Sequence, residues 1–268
     1  MQINRTTGFG SALKVVFFCL ARNPKVATWF IALSTLLVFL FPFEVGAKTK
    51  FLGFKQGESE NVPDDWELIT YFNRAENTMS LVKEGKRTVL SVQSLGSASA
   101  LLKRLNIDVQ AFPTLVWAWK VNRVVGMAVE TQKDRNDSAA RVRVVFGKPP
   151  PKPPKTPPPV EQLFDAFGLR PTGREPRGFK IDYIWGNRVP RGKVFDFPGS
   201  KNHKVIVVES GKSKTNRWVW EKRDLRKDYL ISFGGTPPTL IGIVILTDTD
   251  HTNEGVKAYY SSVVLMSE

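Results

Sequence analysis

Most of the chain after residue 50 alternates between apolar and polar positions with a period of two, the pattern of half-buried β-strands. The segments that follow this pattern are rich in Val, Ile, Trp, Tyr and Thr and end at Gly, Pro, Asn or Asp. They cover residues 66–72, 78–84, 87–94, 114–121, 140–146, 181–186, 204–210, 217–223, 240–247 and 258–265. Short strands at this spacing predict a sandwich or jelly roll.

Two segments have helical character instead. Residues 160–169, VEQLFDAFGL, end close to a glycine. Residues 224–235, DLRKDYLISFGG, begin with an aspartate and end at a glycine pair, which are common start and stop signals of helices. The predicted fold is therefore all-β. It is a jelly-roll-like antiparallel β-sandwich with one or two short helices and an N-terminal signal or anchor helix.

The first 47 residues are typical of a signal peptide or a membrane anchor. Residues 1–25 contain four basic and no acidic side chains, and residues 26–43 carry no charge. A signal peptide has an apolar region of about 7–15 residues and a membrane helix needs about 20, so this run lies between the two. The small residues VGA before Lys48 resemble a cleavage site. Both alternatives place residues 48–268 outside the cytoplasm, either secreted or periplasmic or anchored to the inner membrane.

Composition narrows the chemistry of this exported domain. The whole chain of 268 residues is 42% hydrophobic, which is typical of a globular protein, and its formal charge is +14. The single cysteine, Cys19, lies in the leader, so intrachain disulfides, cysteine metal sites and thiol catalysis are excluded. The basic residues are spread along the chain and suit either simple solubility or an anionic membrane or polymer. We expect no nucleic-acid partner, because the chain lacks a recognised binding motif and is predicted to be exported.

A proline-rich segment interrupts the series of strands. Gly147–Val160 reads GKPPPKPPKTPPPV and predicts an exposed polyproline II segment, because proline lacks the backbone donor that a sheet needs. Strands are predicted on both sides of it, so we interpret residues 147–179 as an insertion within one domain, 48–268. The insertion is either an inert spacer or a recognition arm whose lysines contact an anionic surface.

Two tryptophan pairs stand at i and i+2 on predicted strands. Trp117 and Trp119 lie in one strand, and Trp218 and Trp220 lie in another. Each pair occupies one face of its strand and forms either part of the sandwich core or a platform for a flat ligand such as a sugar ring. Their mid-strand positions favour the core for both pairs, because a buried aromatic side chain removes about 150–250 Å² from water.

Trp185 is expected to be different. It stands at the end of a predicted strand, next to Gly186 and Asn187. Ligands commonly meet a rigid sheet near its loops. We therefore predict that Trp185 is partly exposed and that it is the residue that stacks on a sugar.

Charged residues on strand faces suggest further ligand contacts. In residues 140–146, Arg141 and Arg143 alternate with apolar residues and should point away from the core together. If the neighbouring tryptophans are core, Glu221 and Arg223 should share an exposed face. These four side chains could bind a sugar or a carboxylate through paired hydrogen bonds. Alternatively they form cross-strand salt bridges on a solvated face.

The most acidic turn of the chain, TDTDHTNEG, is a candidate metal site. Asp248 and Asp250 point the same way on an extended chain and offer oxygen ligands that suit Ca²⁺. The segment departs from an EF-hand loop at Asn253 and Tyr259. The alternative is a turn whose aspartates bind nearby backbone N–H groups. No other cofactor is predicted.

The sequence carries few signs of catalysis. His203 and His251 are its only histidines, and neither belongs to a known zinc-protease pattern. Asp182, Glu221 and Asp224 are candidate carboxylates for glycoside cleavage, but that chemistry depends on their separation in space. A role without catalysis is favoured.

Five segments carry a resemblance to a known family. They are FPTLVWAWKVN, AARVRVVFG, IDYIWGN, RWVWEKRDLRKDY and LIGIVILTDTDHT. In these segments the chain resembles a family of exported bacterial proteins of unknown function with a β-sandwich similar to the galactose-binding-like jelly rolls. The resemblance covers about residues 64–267 without the insertion. It implies a fold and an extracytoplasmic compartment, and it implies no activity.

Three functions are compatible with these features. The first is a non-catalytic module that binds a glycan or an anionic polymer of the cell envelope. The second is a carbohydrate-active enzyme with paired carboxylates, and the third is a structural envelope protein. An exposed aromatic residue in a concave face would favour the first, carboxyl groups facing each other across a cleft the second, and a flat sandwich without pockets the third.

Overall fold

A computed structural model describes residues 47–55, 63–148 and 174–268. The chain divides into two compact units, Met1–Ala47 and Lys48–Glu268, and the following account concerns the second. The apolar run of the leader, the proline-rich segment and the predicted helix at 160–169 lie outside the described residues. Within the described ranges, no helix combines the length and apolar character that crossing a bilayer requires.

The described residues of the domain form two seven-stranded sheets, and sheet 1 is entirely antiparallel. Its strands are β1 (Thr49–Leu52), β3 (Thr78–Glu84), β4 (Arg87–Leu95), β6 (Thr114–Val121), β11 (Val219–Asp224), β13 (Gly255–Tyr260) and β14 (Val263–Met266). Strand β6 is central, because Trp119 pairs with Val219 of β11 on one side and with Tyr260 of β13 on the other. Strand β11 therefore covers one side of β6, while β13 and β14 share the opposite side.

Sheet 2 has the order β2-β5-β12-β7-β8-β10-β9. Its strands are β2 (Glu67–Thr70), β5 (Ala98–Ile107), β7 (Ser138–Phe146), β8 (Phe179–Gly186), β9 (Val194–Asp196), β10 (His203–Ser210) and β12 (Leu240–Asp248). All neighbours are antiparallel except β8 and β10, which run parallel. The predicted all-β, jelly-roll-like sandwich is confirmed. Strands β1, β5 and β9 lie outside the predicted segments.

The single helix of the described residues, α1 (Leu225–Phe233), confirms the second helical prediction. It begins where it does because the Asp224 carboxylate accepts hydrogen bonds from the backbone N–H groups of Arg226 and Lys227. It ends at Gly234, whose φ of 76° places it in the left-handed region that favours glycine.

An aromatic layer fills the space between the sheets. Trp117 and Trp119 of β6 are 1% and 0% exposed, which confirms that this pair belongs to the core. The Trp117 ring centroid lies 5.3 Å from that of Tyr183, and the Trp119 centroid lies 6.0 Å from that of Trp185. These contacts join the central strand of sheet 1 to β8 of sheet 2.

The predicted exposure of Trp185 is wrong. The side chain is 1% exposed, because it faces the aromatic layer and its Nε1 donates to the carbonyl oxygen of Gly211 at 3.0 Å. The glycine and asparagine that follow Trp185 mark the end of strand β8, but the chain near Gly211 covers that end. No face of the ring remains for a sugar.

The predicted burial of Trp218 and Trp220 is also wrong. Register decides their orientation, since Val219 pairs with the buried Trp119 and therefore faces the core with it. Alternation along β11 then turns both tryptophans outward. Trp220 is 58% exposed and Trp218 is half-buried.

This difference between the two pairs predicts different effects on stability. Trp119→Ala should lower the free energy of unfolding by about 3–5 kcal/mol, because it removes a fully buried ring and leaves a cavity. Trp220→Ala should change it little, because most of that ring is already in water. Urea unfolding of both variants provides the measurement, and equal losses would contradict the assigned orientations.

Candidate functional site

The outer face of sheet 1 carries an exposed aromatic surface. We call it the aromatic face and define it by Trp218, Trp220, Lys120, Tyr259 and Arg87. Neighbouring strands hold these residues in place, because Tyr259 of β13 pairs with Lys120 of β6, and Trp218 directly precedes Val219, which pairs with Trp119 of β6. Three adjacent strands thus present aromatic and cationic groups on one side of the sheet.

Cations fix the orientation of these rings. The ammonium group of Lys120 lies 5.3 Å from the ring centroid of Trp218 and 4.3 Å from that of Tyr259. The guanidinium carbon of Arg87 lies 5.4 Å from the ring centroid of Trp220. Such contacts stabilise by about 0.5–1 kcal/mol at exposed sites, so the rings are held while their outer surfaces remain accessible.

A carboxylate completes the arrangement. Glu84, at the end of β3, accepts hydrogen bonds from Nε1 of Trp218 at 2.6 Å and from Lys120. The hydrogen bond from Lys120 holds the pKa of Glu84 below its ordinary value. The β3–β4 turn therefore lies against the aromatic face and supplies both an acceptor and, through Arg87, a donor.

Two grooves run beside the aromatic face. One, of about 420 Å³, is lined by Trp218 and Glu84, and the other, of about 470 Å³, is lined by Trp220 and Phe51. They share Arg87 in their linings. Phe51 is 69% exposed, so aromatic rings border the second groove on two sides. The surface is concave and can hold an elongated ligand.

The outer face of sheet 2 has a different chemistry. Arg141 and Arg143 lie on this face together, as predicted, but they are only 2% and 6% exposed. Both bind the fully buried Asp182, Arg141 through Nη1 at 2.7 Å and Arg143 through Nε at 2.6 Å. Arg143 also binds Glu175 at 2.6 Å, and Arg141 lies 3.2 Å from Asp248. The alternative of cross-strand salt bridges is realised here, although in a buried rather than a solvated setting.

Burial and the arginines act in opposite directions on the pKa values of the neighbouring carboxyl groups. Burial raises the pKa of Asp182, but Arg143, His203 and Arg141 outweigh it and hold that pKa well below its ordinary value. At Asp248 burial wins over the opposing effect of Arg141, and its pKa rises to about 6. Asp182 thus remains a carboxylate under all ordinary conditions, whereas Asp248 takes up a proton in mild acid.

A cavity of about 350 Å³, here called the arginine cavity, opens above these ion pairs. Its lining includes Arg141, Asp248, Asp250, Arg74, Phe72 and Phe197. The structure therefore brings together the predicted pair of arginines and the predicted pair of aspartates. Trp185, Glu221 and Arg223 do not line it.

The two candidate metal ligands each bind an arginine. Asp250 meets Nε of Arg74 at 2.9 Å, and Asp248 meets Arg141. Asp250 also lies in a group with Asp137 and His251, whose possible ligand atoms are within 4.8 Å of one another. A nitrogen ligand and an adjacent guanidinium suit Ca²⁺ poorly, because this ion prefers six to eight oxygen ligands.

Glu221 and Arg223 share a face, but the prediction that this face is exposed is wrong. The register of β11 turns them inward with Val219. Arg223 donates from Nε to Asp228 at 2.9 Å, while Oε1 of the 4%-exposed Glu221 has no hydrogen-bond partner among the described residues. Burial raises the pKa of Glu221 to about 7, with Arg191 acting in the opposite direction.

Sequence reasoning missed Lys120, Tyr259, Arg87 and Glu84 of the first surface and Phe197 of the second. Alternation along the strand places Lys120 on the opposite face of the sheet from its neighbour, the buried Trp119. The sequence therefore did indicate that Lys120 points outward. No pattern indicates which strand neighbours which, and the aromatic face depends on that pairing. Phe197 lies in a loop, where periodicity carries no signal.

The fold and these two surfaces define a β-sandwich with an aromatic groove on one side and a polar cavity on the other. By sequence, the chain belongs to the family described as Protein of unknown function (DUF3047), which matches residues 64–264. Among curated proteins none matches the chain.

Several solved structures have a similar arrangement of the chain. A family 29 carbohydrate-binding module complexed with cellulohexaose is 10% identical, with a TM-score of 0.34, over 83% of this chain and 93% of that one. The carbohydrate recognition domain of Emp47p is 13% identical, with a TM-score of 0.37, over 81% and 94%. At TM-scores this low, the likeness supports no conclusion about this chain.

The buried Glu221 predicts a pH-dependent stability. Its raised pKa means that the folded state holds a proton which the unfolded state releases, so stability should fall as pH rises from about 4.5 to about 7. Glu221→Gln removes this group and should become increasingly more stable than the wild type across that range. Urea unfolding at several pH values, with the exposed Glu76→Gln as control, measures the difference. A constant gap between Glu221→Gln and wild type would contradict the assignment.

Proposed function

We propose that this protein is a non-catalytic module that binds a glycan through the aromatic face. The observation that carries the proposal is that the half-buried Trp218 and the exposed Trp220 each line one of two grooves, which share Arg87. A contiguous exposed aromatic surface is uncommon in a soluble domain and usually marks a binding site. The described outer face of sheet 1 fits a ligand with flat apolar faces and hydroxyl edges.

Sugar rings have this combination of surfaces. Their C–H faces can pack on the two indoles, and their hydroxyl groups can bond to Glu84 and Arg87, which line the grooves. Pockets that pair aromatic side chains with a few fixed polar groups are typical ligand sites. The tandem arrangement of two grooves suits several consecutive sugar residues.

The enzyme alternative finds less support. Asp224 caps α1, Asp182 is enclosed by two arginines, and Glu221 faces the core. These three candidate carboxylates therefore occupy three different surroundings, and they do not face one another across either groove. The structural alternative is also less favoured, because the sandwich has concave aromatic surfaces.

The proposal includes an extracytoplasmic location. It rests on the basic N-terminal residues and the uncharged run at 26–43. A partner in that compartment would be a glycan or an anionic envelope polymer, and an uncleaved leader would add contact with the membrane.

A binding screen tests the proposed function directly. The purified protein should bind glycans on an array, and Trp220→Ala should weaken that binding about tenfold by removing an aromatic contact. Leu230→Ala on α1 is a matched control, because Leu230 is also 58% exposed but lies away from the aromatic face. Unchanged binding by a folded Trp220→Ala protein would refute the role of this face.

Export is tested separately. A reporter fused after residue 60 should be active only when the leader carries it across the cytoplasmic membrane. Sequencing the N-terminus of the mature protein then distinguishes cleavage before Lys48 from an intact anchor. Reporter activity confined to the cytoplasm would refute both alternatives.

A further inference from the structure

The lining of the arginine cavity is rich in charged side chains, whereas aromatic rings dominate the aromatic face. We propose that it is a second binding site, specific for a sugar that carries a carboxylate, such as a uronic acid. The site lies on the outer face of sheet 2 and uses none of the residues of the aromatic face. An experiment can therefore refute this proposal without refuting glycan binding by Trp218 and Trp220, and the reverse is also true.

The base of the cavity is rigid and preorganised. Asp182 holds Arg141 and Arg143 in fixed orientations, and Glu175 binds Arg143 from another direction. Burying this many charges costs desolvation energy, and apolar residues could fill the same volume at no stability cost. Retaining them in a pocket is typical of a site that recognises a polar ligand.

Arg141 is the member of this network that has an unused hydrogen-bond donor. Its Nε is buried and has no hydrogen-bond partner in the described part of the chain. The guanidinium carbon lies 5.8 Å from the ring centroid of Phe197, which forms part of the cavity wall. A polar ligand entering the cavity would meet a guanidinium that its protein partners satisfy incompletely.

The rim of the cavity adds accessible positive charge. Lys133 is exposed and has no ion-pair or hydrogen-bond partner among the described residues. Arg74 contacts Asp250 through Nε, and its side chain is 39% exposed. Asp182 and Glu175 pair with Arg141 and Arg143 at the base of the cavity, and Asp250 pairs with Arg74, so the ammonium group of Lys133 is the positive charge of the lining that remains unpaired among the described residues. This free charge favours an anionic ligand, and guanidinium groups match a carboxylate geometrically.

The remaining lining suits a sugar ring rather than a bare anion. Phe72, which is 70% exposed, and Phe197 both line the cavity, so apolar ring faces have surfaces to pack against. Asp248 and Asp250 can accept hydrogen bonds from hydroxyl groups. A volume of about 350 Å³ is near the lower end of small-molecule pockets, ~300–1,000 Å³, which suits one sugar residue.

Matched sugars test the proposal. Galacturonate and galactose, and glucuronate and glucose, differ mainly in the carboxylate, and each would be titrated into the isotopically labelled full-length protein and followed by NMR. We expect both uronates to bind at least about tenfold more tightly than their neutral counterparts and to shift the amide signals of Arg74, Lys133 and Asp250. The indole signal of Trp220 should stay in place.

Variants separate this site from the aromatic face. Lys133→Ala should weaken uronate binding severalfold without loss of folding, because the side chain is exposed and unpaired, and Phe72→Ala should do the same. Lys212→Ala, an exposed lysine between β10 and β11, and Trp220→Ala should leave uronate affinity unchanged. Equal affinity for acidic and neutral sugars, absence of uronate binding, or full retention of uronate binding by Lys133→Ala and Phe72→Ala would each overturn the proposal.

Discussion

The contact of Trp119 with the opposite sheet sets the orientation of the residues on which the proposed glycan site depends. Once its ring is fixed against Trp185, alternation assigns every position of β6 to the core or to solvent. Pairing transmits the same assignment to Val219 on one side and Tyr260 on the other. Trp220 faces water because Val219, its neighbour in β11, pairs with Trp119 and points into the core with it. A slip of one residue in β11 would exchange its aromatic and charged faces.

The alternation of the sequence predicted the fold class, most strands and α1, because these depend on local patterns. Strand β5 was missed because ASALLKRLNI is apolar on both faces in its first half and contains good helix formers. The two tryptophan pairs look alike in sequence, yet one lies in the central strand of its sheet, while the other lies at the start of the neighbouring strand β11, with Trp218 just before it. Periodicity describes a strand alone and contains no information about its neighbours.

The candidate sites were predicted less well for the same reason. Arg141 and Arg143 were correctly assigned to one outer face, since that follows from alternation within a single strand. Their burial depends on Phe197 and Asp182, which come from other parts of the chain. Trp185 was expected near solvent because it lies at the end of a strand, but a strand can end inside the protein. Here a loop from another part of the sequence covers the strand end, and the residues around Trp185 give no indication of that loop.

The strands that build sheet 2 are far apart in the chain, and this has a consequence for how the protein folds. Strand β12 lies between β5 and β7, although about 100 or more residues separate it from each of them in sequence. Loops of this length must close before the central pairs of the sheet can form, which makes folding slow. The chain cannot complete this sheet until its last part has been synthesised. Neither half of the molecule can therefore act as an autonomous folding unit, and the arginine cavity comes into existence only with the final closure of the sheet.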